Sequence, residues 1–275
     1  MPLMDVLFEA NQHLPAMSSV VQSLIGSFDD PEVDIDDIAR RISHDQALTA
    51  KVLRLANTAA YGGNRKIASI NDAVLVLGFN TLRTLVLSCG LVNAFKAPAG
   101  FDMRRFWQQS FKTAATCAWL ARTCRQNPDA AFTVGLLHNM GDVLIFMVHP
   151  DLAMEVEKSV RAGVGRSEVE QRLLGYDYAA AGAELARRWR FPESMVRAIA
   201  EQEMPLSYDP VSPEAIMIFL GKILAQATQA GVVADRLPEL LPRPEMDALR
   251  LNLDVVLTRY SELLGMGEEL AFLAS

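Results

Sequence analysis

Apolar side chains recur every three to four residues through most of this chain, and no stretch alternates convincingly with a period of two. Leu48, Val52, Leu55 and Ala59 stand at i, i+4, i+7 and i+11, while Lys51 and Arg54 fall on other faces. Such a stripe lies along one side of a helix, whereas a strand would send alternate side chains to opposite faces. A chain built this way buries its apolar surface only by packing helices on helices, so the expected fold class is all-α. The punctuation agrees. Ser69 is placed to cap a helix whose N3 residue is Asp72, and Gly78 to stop it before a helix that starts at Asn80. Pro15, Pro31, Pro98, Pro128, Pro150, Pro192, Pro205 and Pro213 all fall between periodic segments, where proline starts or separates helices. The pattern amounts to about a dozen helices, with ends good to a few residues.

The string KAPAGFD, Lys96 to Asp102, breaks two long apolar segments. It divides the expectation into an N-terminal helical subdomain (1–97) and a second helical bundle with a C-terminal extension (98–275). A second loop, EMPLSYDPVSPE, sets off that extension. Apolar residues make up 51% and charged residues 21%, a balance that folds. The formal charge is −7 with no basic block, which disfavours a nucleic-acid partner. The most apolar region, Ala73 to Phe95, is broken by Gly78, Asn80, Arg83, Ser88 and Asn93. It therefore reads as buried helix and not as a membrane span of about 20 apolar residues. No secretory signal is visible at the start. Cys89, Cys117 and Cys124 lack CxxC spacing and sit in apolar patterns, as reduced structural thiols of a cytoplasmic protein would.

Taken in order, several strings resemble the HDOD domain, a bacterial signalling module related to the HD metal-dependent phosphohydrolases. The resemblance runs from about residue 14 to 205. It rests on LPAMSSVVQSLI, IARRISHDQALTAKVLRLANTAAYG and IASINDAVLVLGFNTLRTLVL in the first half. In the second half it rests on FWQQS, GLLHNMGDVLI, LLGYDYAAAGAELARRWRFP and AIAEQEMP. It implies two packed helical subdomains, the second an HD-like bundle. An HD hydrolase holds a divalent metal with imidazoles and carboxylates and uses it to activate water. Position by position, the resemblance implies that this set is largely gone. Gln109 stands where FWxHS has histidine. His138 is kept, but Asn139 replaces the aspartate of the His-Asp pair. Tyr178 replaces a histidine, Gln202 and Glu203 replace a histidine pair, and Gly221 falls at the last aspartate. Asp142, Asp177, Glu201 and Glu203 are the carboxylates from which a degenerate site could be rebuilt.

Other residues carry plainer readings. A lone imidazole in an apolar helix, His138, most often donates to a carbonyl and stays neutral. Gly135 and Gly141 bracket it, and close backbone packing accounts for both. Asn57 is set to tie down the following loop through its amide. Together with Tyr61, Arg65 and Lys66 it forms a candidate ligand or partner loop, although turn formation alone accounts for Gly62, Gly63 and Asn64. Trp107, Trp119 and Trp189 read as core anchors.

The expectation is a non-catalytic regulatory module with neither catalytic residues, nor metal, nor cofactor. It would meet a signalling protein in trans or take a small nucleotide ligand. The alternative is a residual metal-dependent phosphohydrolase built on His138 and substitute carboxylates.

Overall fold

The computed structural model describes residues 3–9, 15, 17–28, 32–58, 66–268, 270 and 273. Among these residues every regular element is a helix. Before the break at 96–102 come α1 (Leu3–Glu9), α2 (Ser19–Gly26), α3 (Ile35–His44), α4 (Gln46–Ala56), α5 (Ile70–Leu77) and α6 (Phe79–Ala94). After it come α7 (Met103–Thr123), α8 (Pro128–Leu137), α9 (Met140–Val148), α10 (Pro150–Arg161), α11 (Arg166–Leu174), α12 (Tyr178–Arg188), α13 (Glu193–Ala200), α14 (Pro213–Gln229), α15 (Arg243–Ala248) and α16 (Leu253–Arg259).

The local signals act as their chemistry requires. Ser69 accepts from the Asp72 amide at 3.0 Å, and Gly78 turns the chain between α5 and α6 with φ +81°. Pro128, Pro150 and Pro213 open helices, where their missing N–H costs nothing. Pro31 lies outside the described residues. The helices outnumber the expected dozen partly because one periodic run is broken: α8 and α9 are separated at His138 and Asn139, where Asn139 takes a non-helical φ −115°, ψ 14°. Short elements such as α15 and α16 add the rest.

One hydrophobic core runs through both halves, from Leu7 to Leu273. Helices α2 to α6 pack chiefly on one another, and α6 joins them to α8. Phe95 bridges the break, with its ring edge-on to both Trp107 and Trp189 at 6.2 and 5.9 Å. Trp107 and Trp119 are buried, and the Trp119 indole N–H donates to Glu262 at 2.9 Å. Among the described residues the stretch long and apolar enough to cross a membrane is Pro128–Val148, not Ala73–Phe95. Within the fold 83% of its most apolar window is buried, and the stretch packs against α7, α12 and α14.

Small residues set how closely the second bundle closes. Around Cys117 on α7, a Cβ added at Gly135 on α8 would meet the sulfur at 2.9 Å and the Ala114 Cα at 2.8 Å. A Cβ at Gly221 on α14 would meet the same sulfur at 2.7 Å. Burial pushes this thiol up to about 12, so it serves as packing and not as a nucleophile. Where α9 crosses α12, a Cβ at Gly141 would lie 2.0 Å from the Tyr178 carbonyl oxygen and 2.8 Å from the Gly182 nitrogen. These contacts draw α7, α8, α9, α12 and α14 around one space. Gly141→Ala is therefore expected to cost about 3 kcal/mol or more in urea unfolding. Gly26→Ala, at the open end of α2 with nothing within 4 Å of the added Cβ, should instead be neutral or stabilising by up to about 1 kcal/mol.

Candidate functional site

A cavity of about 650 Å³ lies where these helices converge, and its walls include Gln109, His138, Asn139, Asp142, Tyr178, Glu203 and Lys222. Each side chain is aimed there by the packing just described. Gln109 lies on α7 immediately before the buried Ser110. The Ser110 hydroxyl donates to Asn139 Oδ1 at 3.0 Å and to the Phe106 carbonyl at 2.9 Å. The FWQQS string thus supplies both a wall of the cavity and the hold on Asn139. Tyr178 opens α12 directly beside the glycine crossing. Gln202 stands behind the wall, fully buried, and its Nε2 donates to the His138 carbonyl at 2.7 Å and the Ile199 carbonyl at 2.9 Å. Six of the seven positions singled out by the resemblance therefore come together.

The remaining candidates divide. Asp142 and Glu203 face the cavity. Asp177 does not: it caps α12 by accepting from the Ala180 amide at 2.9 Å. Glu201 does not either, and pairs with Arg197 at 2.5 Å. Asn57 behaves as the structural reading requires. Its Nδ2 donates to the Leu53 and Ile67 carbonyls, both at 2.7 Å, and its Oδ1 accepts from the Ile67 amide at 2.8 Å. Lys66 is exposed and, like Asn57, does not line the cavity. Tyr61 and Arg65 lie outside the described residues.

Two cations that the sequence reading passed over organise the site. Gly221, the position aligned with the last metal ligand, is pressed against Cys117 and carries no side chain to offer. Its neighbour Lys222 reaches inward instead. The Lys222 ammonium pairs with Glu203 and donates to Tyr178 Oη at 3.0 Å and Gln202 Oε1 at 3.4 Å, while the Tyr178 hydroxyl donates to Glu203. Burial alone would raise the Glu203 carboxyl, but the Lys222 charge and these hydrogen bonds outweigh it and hold Glu203 below the usual carboxylate range. Burial, then Glu203, pushes the Tyr178 phenol well above its ordinary value, so it stays a donor. On the opposite wall, Arg166 at the start of α11 pairs with Glu157 and lies 3.3 Å from Asp142 and 3.4 Å from Glu170. Burial raises both Asp142 and Glu170; the Asp142 charge raises Glu170 further, and the Glu157 charge raises Asp142. Glu170, which also accepts from the Tyr178 amide at 2.7 Å, fixes the start of α12.

His138 has the neutral form that burial favours. Its Nδ1 lies 2.6 Å from the Gly135 carbonyl, so Nδ1 carries the proton and Nε2 the lone pair. Burial, reinforced by the Lys222 charge, pulls its pKa down to about 3. One imidazole nitrogen is a single donor for a cation. Around it stand neutral amides, a phenol and two carboxylates already engaged by Arg166 and Lys222. Among the described residues no group of three or more His, Cys, Asp or Glu side chains converges in a way that could hold a metal ion. This donor set does not fit a divalent cation, which needs several charged or imidazole ligands directed at one point.

Comparison with known proteins places this arrangement. The HDOD domain profile matches residues 14–205. The chain belongs to the HDOD family. Among solved structures similar to this HDOD chain is one named "Putative phosphohydrolase", from Shewanella amazonensis SB2B. It is 32% identical, with a TM-score of 0.85 and 98% of each chain covered. Another, named "Putative signal transduction protein", from Marinobacter aquaeolei VT8, is 26% identical with a TM-score of 0.78, and covers 100% of this chain and 61% of its own. An uncharacterized protein of Treponema pallidum (strain Nichols) is 26% identical over 189 residues. The match takes in 68% of this chain and 37% of that protein's length.

The His138 pKa has a consequence for stability. The folded state holds His138 unprotonated down to about 3, while the unfolded chain takes up a proton near 6.5. Stability from this group is thus fully present above about 6.5 and lost as the pH falls toward about 3. Urea midpoints of the wild type should drop through that window more steeply than those of His138→Gln. Parallel slopes would contradict the burial of a neutral imidazole.

Proposed function

We propose that this HDOD chain is a non-catalytic signalling module. In this reading it keeps the HD-type bundle and uses the vacated site as a receptor surface for a partner protein in trans or a regulatory ligand. The observation that carries the reading is the Lys222 ammonium, anchored by Glu203, Tyr178 and Gln202 on the cavity wall. A fixed positive charge opposes entry of a divalent cation into the same space. At about 4 Å the repulsion between the two is of order several kcal/mol at an effective dielectric near 20. Asn139 adds to this by keeping the shape of an aspartate while dropping its charge, so the α8–α9 junction holds together without supplying a ligand.

The alternative phosphohydrolase would need His138 and rebuilt carboxylates to act on one metal-bound water. Two of the four carboxylates available for that, Asp177 and Glu201, point elsewhere. The other two are neutralised by Arg166 and Lys222. A signalling role is further supported by family membership and by the name of the Marinobacter relative.

Purified protein incubated with bis(p-nitrophenyl) phosphate and either manganese or ferrous iron should release p-nitrophenol no faster than buffer with the same metal. Metal-dependent turnover that disappears in His138→Ala would overturn the proposal.

A further inference from the structure

The cavity has a charge balance and a shape that point to a class of ligand, an inference that rests on the receptor reading above. Its acidic side chains are each partnered already. Asp102 caps α7 by accepting from the Arg105 amide at 2.9 Å, Asp142 and Glu157 share Arg166, and Glu203 holds Lys222. Its other cations are not. Arg105, Lys112 and Arg161 line the same cavity, and none forms an ion pair or side-chain hydrogen bond with another described residue. Arg105, Gln109 and Lys112 follow at i, i+4 and i+7, so one face of α7 presents two of these charges toward the opening. Arg161 faces them from the last turn of α10. In a chain of net charge −7, three unpartnered cations around one opening form a local attraction for anions.

The same cavity has an aromatic side. Phe101, in the loop before α7, packs on Phe106 with ring centres 5.5 Å apart and on Phe146 of α9 at 5.1 Å. All three rings line the space. From Phe106 to Lys112 the α7 axis rises about 9 Å. An apolar planar group and a charged group thus have separate places within one volume, and a volume of about 650 Å³ suits a small molecule.

We infer that the HDOD cavity binds a small anion bearing a planar ring, with the ring against Phe101, Phe106 and Phe146 and the charged group held by Arg105, Lys112 and Arg161. A phosphate and a carboxylate share this chemistry. Both would gain charge-assisted hydrogen bonds from the guanidinium groups. Gln109 and Lys222 complete the inner wall, so one position aligned with a metal ligand, Gln109, becomes a ligand contact.

Isothermal titration of the full chain tests this with 5′-AMP and phenylacetate as ring-bearing anions, adenosine and benzyl alcohol as their uncharged counterparts, and inorganic phosphate and acetate as ringless anions. At least one ring-bearing anion should bind, and whichever does identifies phosphate or carboxylate as the charged group. Its uncharged and ringless counterparts should bind at least tenfold more weakly. The double variant Arg105→Ala/Arg161→Ala alters two exposed side chains and should keep the wild-type urea midpoint. It should weaken binding at least tenfold, and Phe101→Ala should weaken it as well. No binding by either ring-bearing anion, equal affinity for the ringless ones, or unchanged affinity in the double variant would overturn the inference. None of those results bears on hydrolysis. Conversely, release of phosphate from bound 5′-AMP would overturn the non-catalytic reading and leave the binding site standing.

Discussion

A single amino group, Lys222 Nζ, shapes the chemistry of this molecule. It lies among Glu203, Tyr178 and Gln202, and each of those partners is held in place by the fold around it. Gln202 ties back to the His138 carbonyl, Tyr178 starts a helix anchored by Glu170, and Gly221 lets α14 approach α7 closely enough for Lys222 to reach the wall. The cluster is satisfied internally. A buried phenol and a partly buried carboxylate left without such a cation would be costly, so the lysine stabilises this arrangement.

The helical bundle itself was legible because its signals are local. Ser69, Gly78 and the helix-opening prolines at 128, 150 and 213 act through their own backbone geometry, and the apolar stripes needed only a period. The glycines at 135 and 141 were legible as close contacts for the same reason: nothing else explains a residue that weakens a helix in the middle of an apolar run. The place where α8 stops and α9 begins was not, because the periodic pattern continues straight across His138 and Asn139.

The site was legible in one respect and obscure in another. Gln109, His138, Asn139, Tyr178, Gln202 and Glu203 were found through a family pattern, and they do meet. Lys222 was missed because a pattern directs attention to the aligned position, Gly221, and only tertiary packing shows that its neighbour does the work. A signal was present, since Lys222 is the single charged residue in the buried run from Ala215 to Ala225. Arg166 and Glu170 were obscure for another reason. At i, i+4 on a helix they read as an ordinary surface pair, and nothing local places Asp142 and Glu157 on the same guanidinium.

In the proposed reading, a covalently attached ammonium takes the place of an exchangeable ion and fixes the charge of the site, whatever metal is present outside. The most direct measurement of that idea is a titration of the purified chain with manganese, followed by the electron paramagnetic resonance of the free ion. The account predicts a signal that grows in proportion to added metal from the first aliquot. A signal suppressed until one equivalent per chain has been added would contradict it.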